Sequence, residues 1–304
     1  MKKWLFGFAL LALLPIAFVW LFPAQALKGE FARQRWLAGA TVKTHEVDGE
    51  RWYTLEAGQG PLVVLVHGYT GSKENWLPVM RGLAENHRVI AVDLPGWGES
   101  TPKPGADYGP VAQSRRLAAF LKAQQQPAAL LVGHSMGGMV SGLMTAEHPE
   151  LVERITFMSS AGVKFTENEF ARLVLKGGNP FAVYETESFQ TFLSTYVFAD
   201  APYVPTPIAG AIVAARAANK DFEKTVFTQM RLGPEAFLLQ QRLPLIRQPA
   251  LLLWCDGDRI IDPSAAAVFA EGLAHSTTVM LTDCGHMPMM EKPDQVVDSL
   301  LRFL

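Results

Sequence analysis

The chain has 304 residues, a formal net charge of −2 and 18% charged residues, so it lacks the basic surface that a nucleic-acid partner requires. Its length exceeds one minimal domain and suits a single large α/β domain carrying an insertion. Its two cysteines, Cys255 and Cys284, are too few for a disulfide framework, and no Cys/His pattern has zinc spacing, so neither a metal nor another cofactor is expected.

Taken from the start, Lys2 and Lys3 precede an uncharged apolar run from Trp4 to Phe22. At about 1.5 Å rise per residue the run nearly matches a ~30 Å hydrocarbon core. Trp4 and Trp20 stand at its two ends as interfacial aromatics do, and Pro15 is tolerated inside a membrane helix. Ala24-Gln25-Ala26 offers the small residues of a signal-peptide cleavage site. The apolar run is nevertheless longer than a signal peptide's, so residues 1–27 are expected to stay as a transmembrane anchor. Such a helix also offers a surface for a homodimer. Lys28, Arg33 and Arg35 compete with Lys2 and Lys3 for the cytoplasmic side, and the N-terminal cluster favours N-in, C-out. Residues 28–40 read as a juxtamembrane helix with Phe31, Trp36 and Leu37 set among charges.

Strand signals begin at residue 41. TVKTHEV and RWYTLEA flank Asp48-Gly49, a hairpin dipeptide, and predict an antiparallel edge. LVVLV (62–66), RVIAV (88–92), ALLV (129–132) and RITFM (154–158) follow, separated by helical patterns at 76–86, 110–125 and 136–147. The rhythm breaks after Gly162. Residues 163–244 hold only helical patterns, and the alternation resumes with ALLLWCD (250–256), a helix at 263–273, TTVMLTD (277–283) and a helix at 294–303. This is the pattern of an α/β chain: a mostly parallel eight-stranded sheet with helices on both faces and a helical insertion.

The stretch richest in chemistry is PAALLVGHSMGGMVSGLMTAE (127–147), where an apolar strand runs into Gly-x-Ser-x-Gly and then a helix. Gly133, Gly137 and Gly138 remove the Cβ atoms that would clash at so tight a turn. Ser135 is therefore held above the sheet, with the Met136 N–H at the helix N-terminus aimed where an oxyanion would form. His67-Gly68-Tyr69-Thr70-Gly71 follows LVVLV directly and brings the Tyr69 N–H beside Ser135. A base should come late in the chain, and His286 in DCGHMP is in that place. His45, His87, His134, His148 and His275 fit worse, and His67, which precedes Ser135, reads as a structural hydrogen-bonding residue. The loop WCDGDRIID offers three acids, Asp256, Asp258 and Asp262. Asp258 at the turn apex is the expected partner of His286, while Asp262 before Pro263 reads as a helix cap. Cys255 and Cys284 are expected to be free buried thiols, because bridging two parallel strands needs close Cα atoms and suitable Cβ directions.

HGYTGS, DLPGWGES, GHSMGG, WCDGDRIIDP and CGHMPMMEKP, in this order, resemble the motifs of the α/β-hydrolase superfamily. The resemblance covers 41–162 and 245–304 as two parts of one hydrolase core, with 163–244 as a helical cap. It implies Ser135 as nucleophile, His286 as general base and acid, Asp258 as the orienting carboxylate, and Tyr69 and Met136 as backbone oxyanion donors. With the anchor, the chain is similar to bacterial membrane-anchored lipases and phospholipases A. The implied activity is carboxylic ester hydrolysis of acyl lipids at a bilayer, from the periplasmic side of the inner membrane. The same triad would also serve a C–C bond hydrolase or an acyltransferase, whereas a non-enzymatic scaffold has no need of it.

Overall fold

The computed structural model describes residues 15–304. The expected membrane span starts in residues 1–14, which lie outside the described residues. Among the described residues no helix is long and apolar enough to cross a membrane. Residues 15–21 are helical, and Ile16, Phe18, Trp20, Leu21 and Phe22 are exposed. A further helix, Pro23–Leu37, opens with proline at its first position, where the missing N–H is not needed. It packs on the helices Leu77–Leu83 and Thr206–Ala218, and Arg35 pairs with Glu74 on the body of the protein.

Eight strands form one sheet in the order β1-β2-β4-β3-β5-β6-β7-β8. They are β1 (Thr41–Val47), β2 (Glu50–Ala57), β3 (Leu62–Val66), β4 (Arg88–Val92), β5 (Leu130–His134), β6 (Ile155–Met158), β7 (Ala250–Cys255) and β8 (Ser276–Leu281). β1 and β2 pair antiparallel from Thr41↔Glu56 to Val47↔Glu50, closed by Asp48 and Gly49, both at positive φ as a two-residue primed turn demands. β2 also meets β4 antiparallel, and every other pairing is parallel.

Sheet register is set by side-chain alternation. Leu62, Val64 and Val66 of β3 face one core cluster, with Leu117, Phe120, Met139, Val140 and Phe269 from helices on that face. Val63 and Leu65 face the opposite cluster, with Val79, Met80, Leu83, Val296 and Leu300. Both faces are thus covered by helices, and all five β3 residues are fully buried. Exposing one such side chain costs about 1.5–3 kcal/mol, and a one-residue slip would exchange the two sets, which fixes the register.

Between β6 and β7 the described chain is helical: Glu169–Leu175, Thr186–Phe192, a π-turn Leu193–Val197, Thr206–Ala218, Lys220–Leu232 and Leu238–Arg242. Its own apolar cluster joins Phe170, Phe189, Phe192, Val197 and Val213 to Ile260 in the loop after β7. This segment therefore rests on the C-terminal ends of the strands.

The expectation of free thiols is overturned, because Cys255 and Cys284 form a disulfide with Cα atoms 5.3 Å apart. In the strand register Cys255 lies opposite Leu281, three residues short of Cys284. The chain then folds back through Asp283, a non-glycine residue at φ 56°, whose N–H donates to Asp256 Oδ1 at 3.1 Å, and the Gly257 N–H donates to the Cys284 carbonyl. That return carries Cys284 beside Cys255, so the bridge spans strand ends and a turn rather than two strands in register.

Candidate active site

β3 lies between β4 and β5, so the chain order reverses at β3 and opens a crevice at the strands' C-terminal ends. The loops after β3, β5, β7 and β8 all deliver residues there. Ser135 joins β5 to the helix Met136–Glu147 with φ 53° and ψ −119°, a strained backbone for a residue with a Cβ. Its carbonyl accepts from the N–H groups of Gly138 and Ala161, both at 3.0 Å, and its own N–H donates to the Met158 carbonyl at 3.0 Å. The strain is thereby held by hydrogen bonds on both sides. Gly137 allows the close approach of this turn to β3: a Cβ there would sit 2.4 Å from the carbonyl oxygens of Val66 and His67.

Gly68 serves the same purpose on the facing loop, where a Cβ would lie 2.9 Å from the Ser135 Cβ. The backbone leading into Tyr69 thus runs directly against Ser135. At the first helical position the Met136 N–H has no intrahelical acceptor. The Tyr69 ring is locked by its hydroxyl, which donates to the Glu223 carbonyl at 2.7 Å, and by an edge contact with Phe181 at 4.9 Å. Glu223 is itself buried and pairs with Arg216 at 2.9 Å within the helical segment, so the Tyr69 hydroxyl ties the loop after β3 to a point held by a satisfied charge pair. Tyr184 donates to the same carboxylate, and its phenol is pushed up to about 12, by burial first and by the Glu223 charge second.

Of the three aspartates after β7, Asp258 is the one bonded to His286, with Nδ1 at 2.9 and 3.0 Å from its two oxygens. Asp258 Oδ1 also accepts from the N–H groups of Ile260 and Ile261, at 2.9 and 3.0 Å, which hold the carboxylate in place. Asp256 accepts from the Asp283 N–H and Asp262 from the Ser264 N–H, a turn and a helix start respectively. Because a carboxylate only accepts, Nδ1 carries the proton, and Nε2 of neutral His286 is left as a proton acceptor. Ser135 and His286 line one cavity of about 300 Å³ whose wall is mostly apolar, with Phe181, Phe189, Phe192, Val197, Ile212 and Ile260 among its residues. A larger, shallow surface cleft of about 460 Å³ beside Trp36, Arg81 and Glu85 contains none of these groups.

His67 is fully buried. Its Nε2 accepts from the Leu94 N–H at 3.1 Å, so Nδ1–H donates to the Gly68 carbonyl at 2.7 Å, and burial pushes its ring below the usual histidine range. This is a structural histidine that fixes the loop after β3. Two features of the site were not visible in the sequence. His134, inside the Gly-x-Ser-x-Gly turn, donates from Nε2 to the His286 carbonyl at 2.7 Å, and burial, then the neighbouring His286, hold it well below the usual range. The Cys255–Cys284 bridge ends three residues before Asp258 and two before His286. The only available signal was position, since both cysteines fall at strand ends next to the motifs.

The alpha/beta hydrolase fold family model matches residues 61–293. The monoacylglycerol lipase ABHD6 of Homo sapiens is 28% identical over 300 residues, covering 93% of this chain and 88% of that protein. Lipase 1 of Psychrobacter immobilis is 29% identical over 265 residues, covering 84% of this chain and 81% of that protein. Among solved structures, a membrane phospholipase A, a bacterial virulence factor, superimposes with a TM-score of 0.87 at 34% identity, covering 100% of this chain and 98% of that one.

Proposed function

The chain belongs to the α/β-hydrolase fold family, and from that premise we propose that it is a membrane-tethered serine hydrolase that cleaves the carboxylic esters of acyl lipids. The observation that carries this reading is a strained Ser135 turn and an Asp258–His286 pair opening onto one apolar cavity. His286 Nε2 takes the Ser135 proton as Oγ attacks the ester carbonyl, and Asp258 stabilises the imidazolium that results. The N–H groups of Tyr69 and Met136 receive the oxyanion, each donor worth about 2.7–4 kcal/mol in sites of this kind. The imidazolium then protonates the leaving alcohol, leaving an acyl-Ser135 ester. Water, deprotonated by the same Nε2, releases the fatty acid.

The aromatic and aliphatic wall favours an acyl chain, since each buried CH₂ contributes about 0.8 kcal/mol. Lipase relatives and the membrane phospholipase A support the same substrate class. The apolar run from Trp4 to Phe22 and the exposed Trp20, Leu21 and Phe22 support a bilayer anchor. The disulfide supports an oxidising compartment, with the body of the protein outside the cytoplasm. The 163–244 segment acts as the cap through which acyl chains enter.

The deciding experiment compares wild type, Ser135→Ala and Asp258→Asn on p-nitrophenyl butyrate and on phospholipid vesicles. Both variants should lose about three or more orders of magnitude in kcat on either substrate, because the three groups act as one unit. Near-wild-type turnover by Ser135→Ala sinks the serine mechanism, and fatty-acid release from soluble esters alone sinks the lipid assignment.

A further inference from the structure

His286 follows β8, an edge strand, and its position is not fixed by the sheet. Its backbone is held instead by three groups outside β8. The His286 N–H donates to the Val197 carbonyl at 2.7 Å, and the His286 carbonyl accepts from His134 Nε2 at 2.7 Å. The third is Glu291, at the end of the short helix Pro288–Glu291. Its Oε1 accepts from the Gly285 N–H at 2.9 Å and the Met287 N–H at 3.3 Å, one residue on either side of the base. Its Oε2 accepts from the Ala199 N–H at 2.8 Å.

Val197, Phe198 and Ala199 therefore form a strap that leaves the helical segment and crosses both halves of the Asp258–His286 pair. On the acid side Arg259, next to Asp258, donates to the Phe198 carbonyl. On the base side the fit is backbone against backbone: a Cβ on Gly285 would meet the Val197 oxygen at 2.7 Å and the Ala199 nitrogen at 2.9 Å. Val197 and Phe198 also line the cavity. The strap thus both walls the cavity, through Val197 and Phe198, and holds the backbone around the base, through Val197 and Ala199.

We propose that Glu291 is a positioning residue for His286, and that its carboxylate makes a correctly placed base conditional on the strap 197–199 being seated. The proposal rests on the reading of His286 as the base. When the strap lifts to admit an acyl chain, His286 loses the acceptor for its N–H and Glu291 loses one of its three donors, so the base is competent only once the cavity has closed again. Glu291 performs this through hydrogen-bond count. A carboxylate has two acceptor oxygens and no donor, which matches three converging N–H groups, whereas a carboxamide must turn its NH₂ towards at least one of them.

The test is Glu291→Gln in the full chain, alone and combined with His286→Ala, on p-nitrophenyl butyrate, with amide hydrogen exchange of both single variants. Glu291→Gln should lower kcat by about ten- to a hundred-fold, the scale of a sub-ångström to ångström misplacement of a catalytic group, with KM within about two-fold. In the His286→Ala background the same change should leave the residual rate within about two-fold, because its effect passes through the missing imidazole. Deuterium uptake should rise together in the peptides covering 193–201 and 284–290. An equal fall in the His286→Ala background makes Glu291 a general structural residue and overturns the proposal, as does an unchanged kcat. Faster exchange in 284–290 alone overturns the link to the strap. If His286→Ala itself keeps wild-type turnover, the assignment of the base fails, and that result is distinct from an active Glu291→Gln beside an inactive His286→Ala.

Discussion

Removing the Cys255–Cys284 bridge should weaken the fold by an amount that can be worked out from chain connectivity. The bridged residues are 29 apart in sequence, and the chain-entropy relation for a loop of that size gives about 12 cal/mol/K, or about 3.6 kcal/mol at 25 °C. Unfolding entropy of about 2.1 cal/mol/K per residue amounts to about 0.6 kcal/mol/K for a chain of this length, so the loss translates into about 6 °C in Tm. Both cysteines are fully buried, which makes Cys255→Ala/Cys284→Ala a better perturbation than serine, since alanine leaves no unpaired hydroxyl. Scanning calorimetry of wild type and variant, each with and without dithiothreitol in the unfolding step, separates the terms. The variant should melt about 6 °C below the oxidised wild type, and dithiothreitol should lower the wild type alone. A wild type indifferent to dithiothreitol, or one whose non-reduced mass already carries two more hydrogens than the bridged chain, refutes the reasoning.

Stability should fall as pH drops below about 6.5. Burial depresses the folded-state values of His67 and His134, so below their ordinary value the unfolded chain binds protons that the folded chain refuses, costing up to about 1.4 kcal/mol per pH unit for each ring; a Tm unchanged between pH 7 and pH 5 contradicts this. Gly68→Ala should cut kcat about ten- to a hundred-fold, because its Cβ meets the Ser135 Cβ at 2.9 Å and must push the Tyr69 amide aside, and steady-state kinetics showing full activity would remove that amide from the site. Deleting residues 1–22, which spares the packed helix Pro23–Leu37, should leave p-nitrophenyl butyrate turnover within a few-fold while sharply reducing fatty-acid release from phospholipid vesicles; equal losses on both substrates would mean that the segment supports folding instead.

What could be read from the sequence follows a physical division. Strands buried on both faces are continuous apolar runs, and LVVLV and ALLLWC announced β3 and β7 for that reason. Asp48-Gly49 announced its hairpin because few dipeptides accept positive φ twice. Ser135, Asp258 and His286 stood at strand ends within recognisable motifs, and the turn chemistry of each is local. Contacts between remote segments had no such signal. Cys284 reaches Cys255 only because Asp283 adopts a left-handed conformation, an unusual choice for a non-glycine residue. His134 carries no signal beyond its place within the turn, and its hydrogen bond to residue 286 depends on the loop after β8 reaching the end of β5. Glu291 and Ala199 meet across 92 positions of sequence, from a short helix and a loop whose pairing no local pattern announces.

The two halves of the site rest on unequal supports. Ser135 leaves β5, whose five residues are all buried and which is paired on both sides, by β3 and β6. His286 follows β8, the last strand of the sheet, paired only with β7 and exposed or half-exposed along most of its length. Edge segments with few buried contacts open at lower free energy than the centre of a sheet, so a base placed there would wander unless other links held it. The links present all act on the few residues after β8: the bridge at Cys284, Asp256 on the Asp283 N–H, Glu291 around residues 285–287, and His134 on the His286 carbonyl. One of them, Glu291, also accepts from the Ala199 N–H of the 163–244 segment, and the Val197 carbonyl of that segment adds a further link by accepting from the His286 N–H. The arrangement sets Ser135, the proposed nucleophile, on the buried centre of the sheet and His286, the proposed base, beside the segment proposed to admit substrate, which is where a coupling between entry and competence can exist without disturbing the sheet.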